Sequence, residues 1–158
     1  MFCLMFHFGL RVGEVTLSQH NLRLDQVEVR ADLLKKCFAT YKHSPSQPFN
    51  HYIKAAGITP CPVAVVSHYV NLRGSLQGPL FLLAGKAVTR DIFVTRLREV
   101  LALCHVNPSE FSSHSFRIGA ASMWAAQGLP FEQIRRLGRW QSEAGLKYIR
   151  HDIDHTVL

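Results

Sequence analysis

The chain opens on a dense apolar run, residues 1–8 (MFCLMFHF), which Gly9 interrupts. A segment with no polar face belongs in an interior, and this one reads as a core helix entered midway. A short helix from about Gly13 to Ser18 follows. Residues 22–30 (LRLDQVEVR) alternate apolar and polar positions, the period-two pattern of a strand. Residues 36–42 (KCFATYK) and 49–54 (FNHYIK) read as two more strands, and the turn formers of HSPSQP between them predict a hairpin with a long loop. Pro60 and Pro62 open a helix over residues 63–72, which Gly74 closes. PLFLLA, residues 79–84, is a short extended apolar stretch.

From Thr89 the spacing turns helical. Thr89 is a plausible N-cap, and Ile92, Phe93, Leu97, Val100, Leu101 and Leu103 give one buried face up to about His105. Three further helices are predicted, over about Ser113–Gln127, Pro130–Gly138 and Ser142–Arg150. The order of helix, small antiparallel sheet near the N-terminus, then helices predicts an α+β domain, mostly helical. No internal repeat and no clear linker divides it.

Composition narrows the class. A chain of 158 residues suits one domain, and 47% hydrophobic with 18% charged residues excludes disordered and collagen-like polymers. The net charge of +7 and a pI of about 9.6 favour an acidic partner, nucleic acid or anionic membrane. No apolar run reaches membrane-spanning length, so no membrane is expected. Residues 1–85 carry 8 basic and 4 acidic groups and residues 86–158 carry 10 and 7, so any positive face has to be assembled by the fold. The four cysteines (Cys3, Cys37, Cys61, Cys104) are scattered without a CxxC pair, which fits reduced thiols in an intracellular protein. The apolar start lacks a basic n-region and a small-residue cleavage site, so it does not read as a signal peptide. Entry midway through a core helix gives the expectation of an N-terminally truncated domain.

Three segments carry candidate chemistry. In GLRVGE, residues 9–14, Arg11 and Glu14 lie one helical turn apart, so the carboxylate is expected to orient the guanidinium. In SSHSFRIGAAS, residues 112–122, His114 and Arg117 project from one face of a helix start, where free N–H groups favour anions and Ser112 or Ser113 can cap. The small residues Gly119, Ala120, Ala121 and Ser122 let another element approach closely. In LGRWQSEAGLKYIR, residues 137–150, Trp140 follows a helix end and Tyr148 lies eight residues on. Taken singly, these are compatible with a surface ion pair, a capped helix and an aromatic junction.

Together, their order and residue types resemble the tyrosine recombinase (phage integrase) family. That resemblance spans nearly all of residues 1–158 and places the family's functional set on Arg11, Lys42, His114, Arg117, Trp140 and Tyr148, with Glu14 in support. The wording HSFRIGAAS and LGRW…YIR is most similar to recombinases of eukaryotic mobile elements, Cryptons and tyrosine-recombinase retrotransposons. The resemblance implies a mostly helical catalytic domain without a separate core-binding domain in this chain. It implies double-stranded DNA as partner, homo-oligomer formation on DNA as an option, a nuclear location in a eukaryote, and no cofactor, metal or small-molecule substrate. The implied reaction is DNA strand cleavage and rejoining, in which a tyrosine oxygen attacks phosphorus, a 3′-phosphotyrosyl bond forms and a 5′-hydroxyl leaves. The alternative is a non-catalytic or domesticated relic that keeps the fold and weak DNA binding.

The chemistry accounts for the residue types. Charge accumulates on the non-bridging oxygens as phosphorus gains a fifth ligand, and two forked guanidiniums, Arg11 and Arg117, suit those oxygens better than lysines would. A phenol holds its proton until about pH 10, so attack needs an acceptor, and His114 is the candidate. Trp140 cannot relay a proton, but its indole N–H can donate to a phosphate oxygen. The departing oxygen needs an acid, for which Lys42, at a strand end next to the turn, is preferred over Lys35, Lys36 and Lys54. Strand register decides among these lysines. Lys35, Lys36, Arg135, Arg136 and Arg139, with Arg90, Arg96, Arg98 and Lys147, are candidate phosphate-backbone contacts. His151 and His155 have a spacing that zinc can use, and a solvated terminus explains them better.

Overall fold

The computed structural model describes residues 1–38, 48–55, 57 and 60–150. The opening run forms helix α1, Phe2–Phe8, whose Leu4, Met5 and Phe8 are buried. Gly9 ends it in the left-handed region (φ 55°), and its N–H caps the Met5 and Phe6 carbonyls. A β-carbon there would also sit 2.9 Å from the Trp124 ring, so conformation and space both select glycine. The short helix α2 is Val12–Val15, starting and ending earlier than the spacing predicts.

Three antiparallel strands follow in the order β1–β2–β3: Val27–Val29, Leu33–Phe38 and Phe49–Lys54. The predicted strand over 22–30 is a correction. Leu24–Gln26 form a 3-10 turn, in which Gln26 Oε1 accepts the Arg23 N–H (3.0 Å). The flanking backbone pairs with a loop instead, Leu24 N–H to Gly78 O and Leu80 N–H to Leu22 O. In β2 the period-two pattern holds: Leu34, Lys36 and Phe38 face inward, and Lys36 stands opposite His51 on β3. The predicted turn between these strands, and Lys42 and His43 with it, lies outside the described residues, as do His151 and His155.

Helix α3, Pro62–Arg73, begins on a proline that has no N–H to leave unpaired and ends at Gly74. The extended stretch after it pairs as a two-stranded ribbon, β4 (Leu82–Leu83) with β5 (Lys86–Ala87). Helix α4, Arg90–Leu103, is capped by Thr89, whose Oγ1 accepts the Ile92 N–H (3.3 Å). Helices α5 (Ser115–Ala126) and α6 (Phe131–Gly138) follow. The last predicted helix is instead a 3-10 segment, Glu143–Tyr148, capped by Ser142. Among the described residues, no helix is long and apolar enough to cross a membrane.

The main core gathers Leu4, Met5, Phe8 and Leu10 with Leu34, Phe38, Val63, Leu80 and Phe93. Full burial of a side chain such as Phe8 contributes about 1.5–3 kcal/mol. A second cluster, Ala120, Ala121, Trp124 and Ile134, has Trp140, Tyr148 and Ile149 packed against it. Helix α5 joins the two. Its small face takes the Phe6 ring from α1, where a β-carbon on Gly119 would lie 2.7 Å from the ring edge. Ser122, on the same helix, donates to the Tyr148 carbonyl (3.2 Å) and accepts from the Arg150 N–H (2.9 Å). One buried hydroxyl thus fixes the segment that carries Tyr148.

Candidate active site

The turn after α1, the start of α5 and the segment after α6 converge. Arg11, His114, Arg117, Trp140 and Tyr148 line one cleft of about 330 Å³, together with Arg90 and Ser113. Arg11 lies about a hundred positions before His114 and Arg117, and Trp140 and Tyr148 a further 23 to 34 on, and the fold brings them together.

Arg117 is buried, and its guanidinium is held rigidly. Nη1 donates to Gly9 O (2.6 Å) and Nη2 to Gly138 O (2.8 Å). Its Cζ lies 4.6 Å from the Trp140 ring centre and 5.6 Å from that of Tyr148. Burial pushes its pKa below the ordinary arginine value, and the charges of Arg11 and Arg139 add to that push. The group nevertheless stays cationic at neutral pH. Arg11 sits at the N-cap of α2. Its Nη2 donates to the Arg139 carbonyl (3.3 Å), while its buried Nη1 has no partner among the described residues. The Trp140 indole N–H is likewise buried without a partner among the described residues. Unpaired buried donors are costly, so two of them on one cleft mark it as built for an acceptor.

The phenol is framed by rings. The Tyr148 ring centre lies 4.8 Å from that of Trp140 and 4.7 Å from that of His114. His114 precedes α5, and Ser112 Oγ accepts its backbone N–H (3.2 Å), so Ser112 shapes this helix entry. Burial, then the Arg117 charge, lowers the His114 pKa, which leaves the imidazole neutral and able to accept a proton at neutral pH. Gly138 matters sterically, because a β-carbon there would overlap the Trp140 ring.

Three sequence expectations need correcting. Glu14 does not hold the Arg11 guanidinium. Its Oε2 accepts the Arg11 backbone N–H (2.6 Å) and pairs with Arg139 Nη2 (2.7 Å). Arg139 is not a surface contact for a duplex, because its side chain is 0% exposed and also reaches the Phe8 and Gly9 carbonyls. Lys36 is not one either. It faces the interior, 4.0 Å from the Phe38 ring centre, and donates to Cys37 O. Burial drives the Lys36 pKa down to about 8; Arg139 opposes its charge and Glu14 favours it. Burial pushes Glu14 up, but Arg139, the Arg11 N–H, Arg11 and Lys36 outweigh it and hold the carboxyl below its ordinary value.

Of the remaining candidates, Lys35 lies on the opposite face of β2 and pairs with Glu28 (3.4 Å). Arg135 pairs with Glu132 and donates to the Trp140 and Gln141 carbonyls (3.4 and 3.3 Å), so it braces the Trp140 segment. Arg136, Arg90, Arg98 and Lys147 are exposed, and Arg96 pairs with Glu99. Among the described residues, no group of three His, Cys, Asp or Glu is placed to hold a metal ion.

No family model matches the chain, and no curated protein matches it in sequence. Two solved structures match it in fold. XerH site-specific recombinase bound to its difH substrate, in a pre-cleavage complex, aligns with a TM-score of 0.67 at 12% identity, over 93% of this chain and 40% of that one. The Tn1549 transposon integrase in complex with circular intermediate DNA aligns with a TM-score of 0.60 at 12% identity, over 95% of this chain and 52% of that one. This is the fold of tyrosine recombinase catalytic domains. The chain spans about half or less of the length of either recombination enzyme.

Proposed function

We propose that the chain is the catalytic domain of a tyrosine recombinase that cleaves and rejoins DNA strands through a 3′-phosphotyrosyl intermediate. The supporting observation is the cleft itself, with the Arg11 and Arg117 guanidiniums and an indole N–H that has no partner among the described residues gathered around one half-buried phenol. In this reading the scissile phosphate enters the cleft, and its non-bridging oxygens accept from Arg11, Arg117 and the Trp140 indole. The Tyr148 oxygen attacks phosphorus, its proton passes to His114, and the 5′-oxygen leaves. Lys42 is the proposed acid for that oxygen. The polyanion is double-stranded DNA, and the chain belongs with recombinases of mobile elements, as the HSFRIGAAS and LGRW…YIR segments suggest. Lys35 and Arg136 remain proposed backbone contacts.

A nicked duplex carrying a suicide site tests the reading. Wild type at low salt should trap a covalent protein–DNA adduct, and Tyr148→Phe should abolish it. Arg117→Lys should slow adduct formation by on the order of 10²–10³, the cost of one preorganised donor. Duplex binding by wild type without any adduct would overturn the enzymatic reading and leave a DNA-binding relic.

A further inference from the structure

Four cations and one anion meet behind the cleft: Arg11, Arg117, Arg139 and Lys36 all act on Glu14 or on one another. A buried carboxylate takes a partner wherever it finds one. Glu14 has two candidates for a forked bond, Arg11 three residues before it and Arg139 on the far segment. It takes Arg139, at 2.7 Å between a guanidinium 0% exposed and a carboxylate 8% exposed. From Arg11 it takes only the backbone N–H. Arg139 serves Arg11 twice, because its carbonyl also accepts from Arg11 Nη2 (3.3 Å). Its left-handed backbone (φ 58°) is the conformation from which it does both. Arg139 also shares the Gly9 carbonyl with Arg117 (3.2 and 2.6 Å).

We propose that Arg139 is a positioning residue: its buried guanidinium captures the Glu14 carboxylate and so keeps it from hydrogen-bonding the Arg11 guanidinium, which is left available to a phosphate-type oxyanion in the cleft. The inference deepens the recombinase reading and rests on it only for the identity of the phosphate. Removing Arg139 turns Glu14 onto Arg11, which neutralises one arm of the clamp. Removing Glu14 as well frees that arm again.

Calorimetric titration with inorganic phosphate tests this on wild type, Arg139→Met, Glu14→Gln and the double variant. Arg139→Met should weaken binding on the order of tenfold, the scale of one charge-assisted hydrogen bond. Glu14→Gln should tighten it, and the double variant should recover to within about threefold of wild type, a rescue that lost packing would not produce. No phosphate binding by wild type, no loss in Arg139→Met, or no recovery in the double variant overturns the proposal. If Arg139→Met does not fold, Glu14→Gln decides alone, because a carboxylate that oriented Arg11 would make it weaken binding. The pattern holding without any covalent adduct would sink the recombinase reading alone. Adduct formation at the wild-type rate by Arg139→Met would sink the positioning role alone.

Discussion

His51 shows how much one side chain's surroundings decide. It lies between the Phe8 ring (4.8 Å between centres) and the Trp124 ring (6.0 Å), and its buried Nδ1 has no partner among the described residues. Burial, then the charge of Arg139, lowers its pKa from 6.5 to about 4. The unfolded chain therefore binds the extra proton first. Stability is complete above about pH 6.5 and falls as the pH drops toward 4. Denaturant titrations across that window should show the loss in wild type and a flattened profile in His51→Phe. At this scale the sequence was informative where chemistry came with a local signature. Arg11, His114 and Arg117 were legible only through the family resemblance of their segments, since one-turn spacing alone also fits a surface ion pair or a capped helix, and for Arg11 and Glu14 it suggested a guanidinium–carboxylate bond that the fold does not make. Arg139 was not, because nothing local says that a polar residue after Gly138 turns inward to a carboxylate 125 positions away. Lys36 was legible in principle, since the alternation of Leu34, Lys36 and Phe38 puts it on the apolar face of β2.

Among elements, the close crossing of α1 and α5 sets the position of the Arg117 segment. Gly119→Ala would drive a methyl into the Phe6 ring, 2.7 Å away, and overpacking of this kind costs about 1–3 kcal/mol. Thermal or chemical unfolding should register that loss, and Phe6→Leu in the same background should recover part of it. Elements with strong punctuation were readable. Helix α4 starts on Thr89 and α3 ends at Gly74, as their cap residues predict. The alternation over 22–30 misled because Leu22 and Leu24 pair with the loop at 78–80 and not with β2, a tertiary choice invisible in period. The segment after Ser142 carries helical spacing, but Gly145 lies against the Trp140 and Phe131 rings, and that packing accompanies the tighter 3-10 winding.

For the molecule as a whole, the charge of +7 forms no tail and no single run. Part of it is internal, in Arg139 and Lys36, and so cannot release counterions from a duplex. On the proposed reading, binding to DNA should therefore rest on the exposed cations and be salt-dependent. Raising salt should lower log K linearly with log concentration, and Arg90→Ala, at the rim of the cleft, should reduce that slope by about one contact. An unchanged slope would remove Arg90 from the interface.

The carbonyl of Gly9, gripped by guanidiniums 108 and 130 positions downstream, has a consequence for how the chain assembles. Closing loops of that length costs chain entropy, so this oxygen finds its donors only when distant segments dock together. The cradle cannot assemble piecemeal. A chain cut between Arg11 and Arg117 would keep Arg11 but lose both the second guanidinium and the phenol of the cleft.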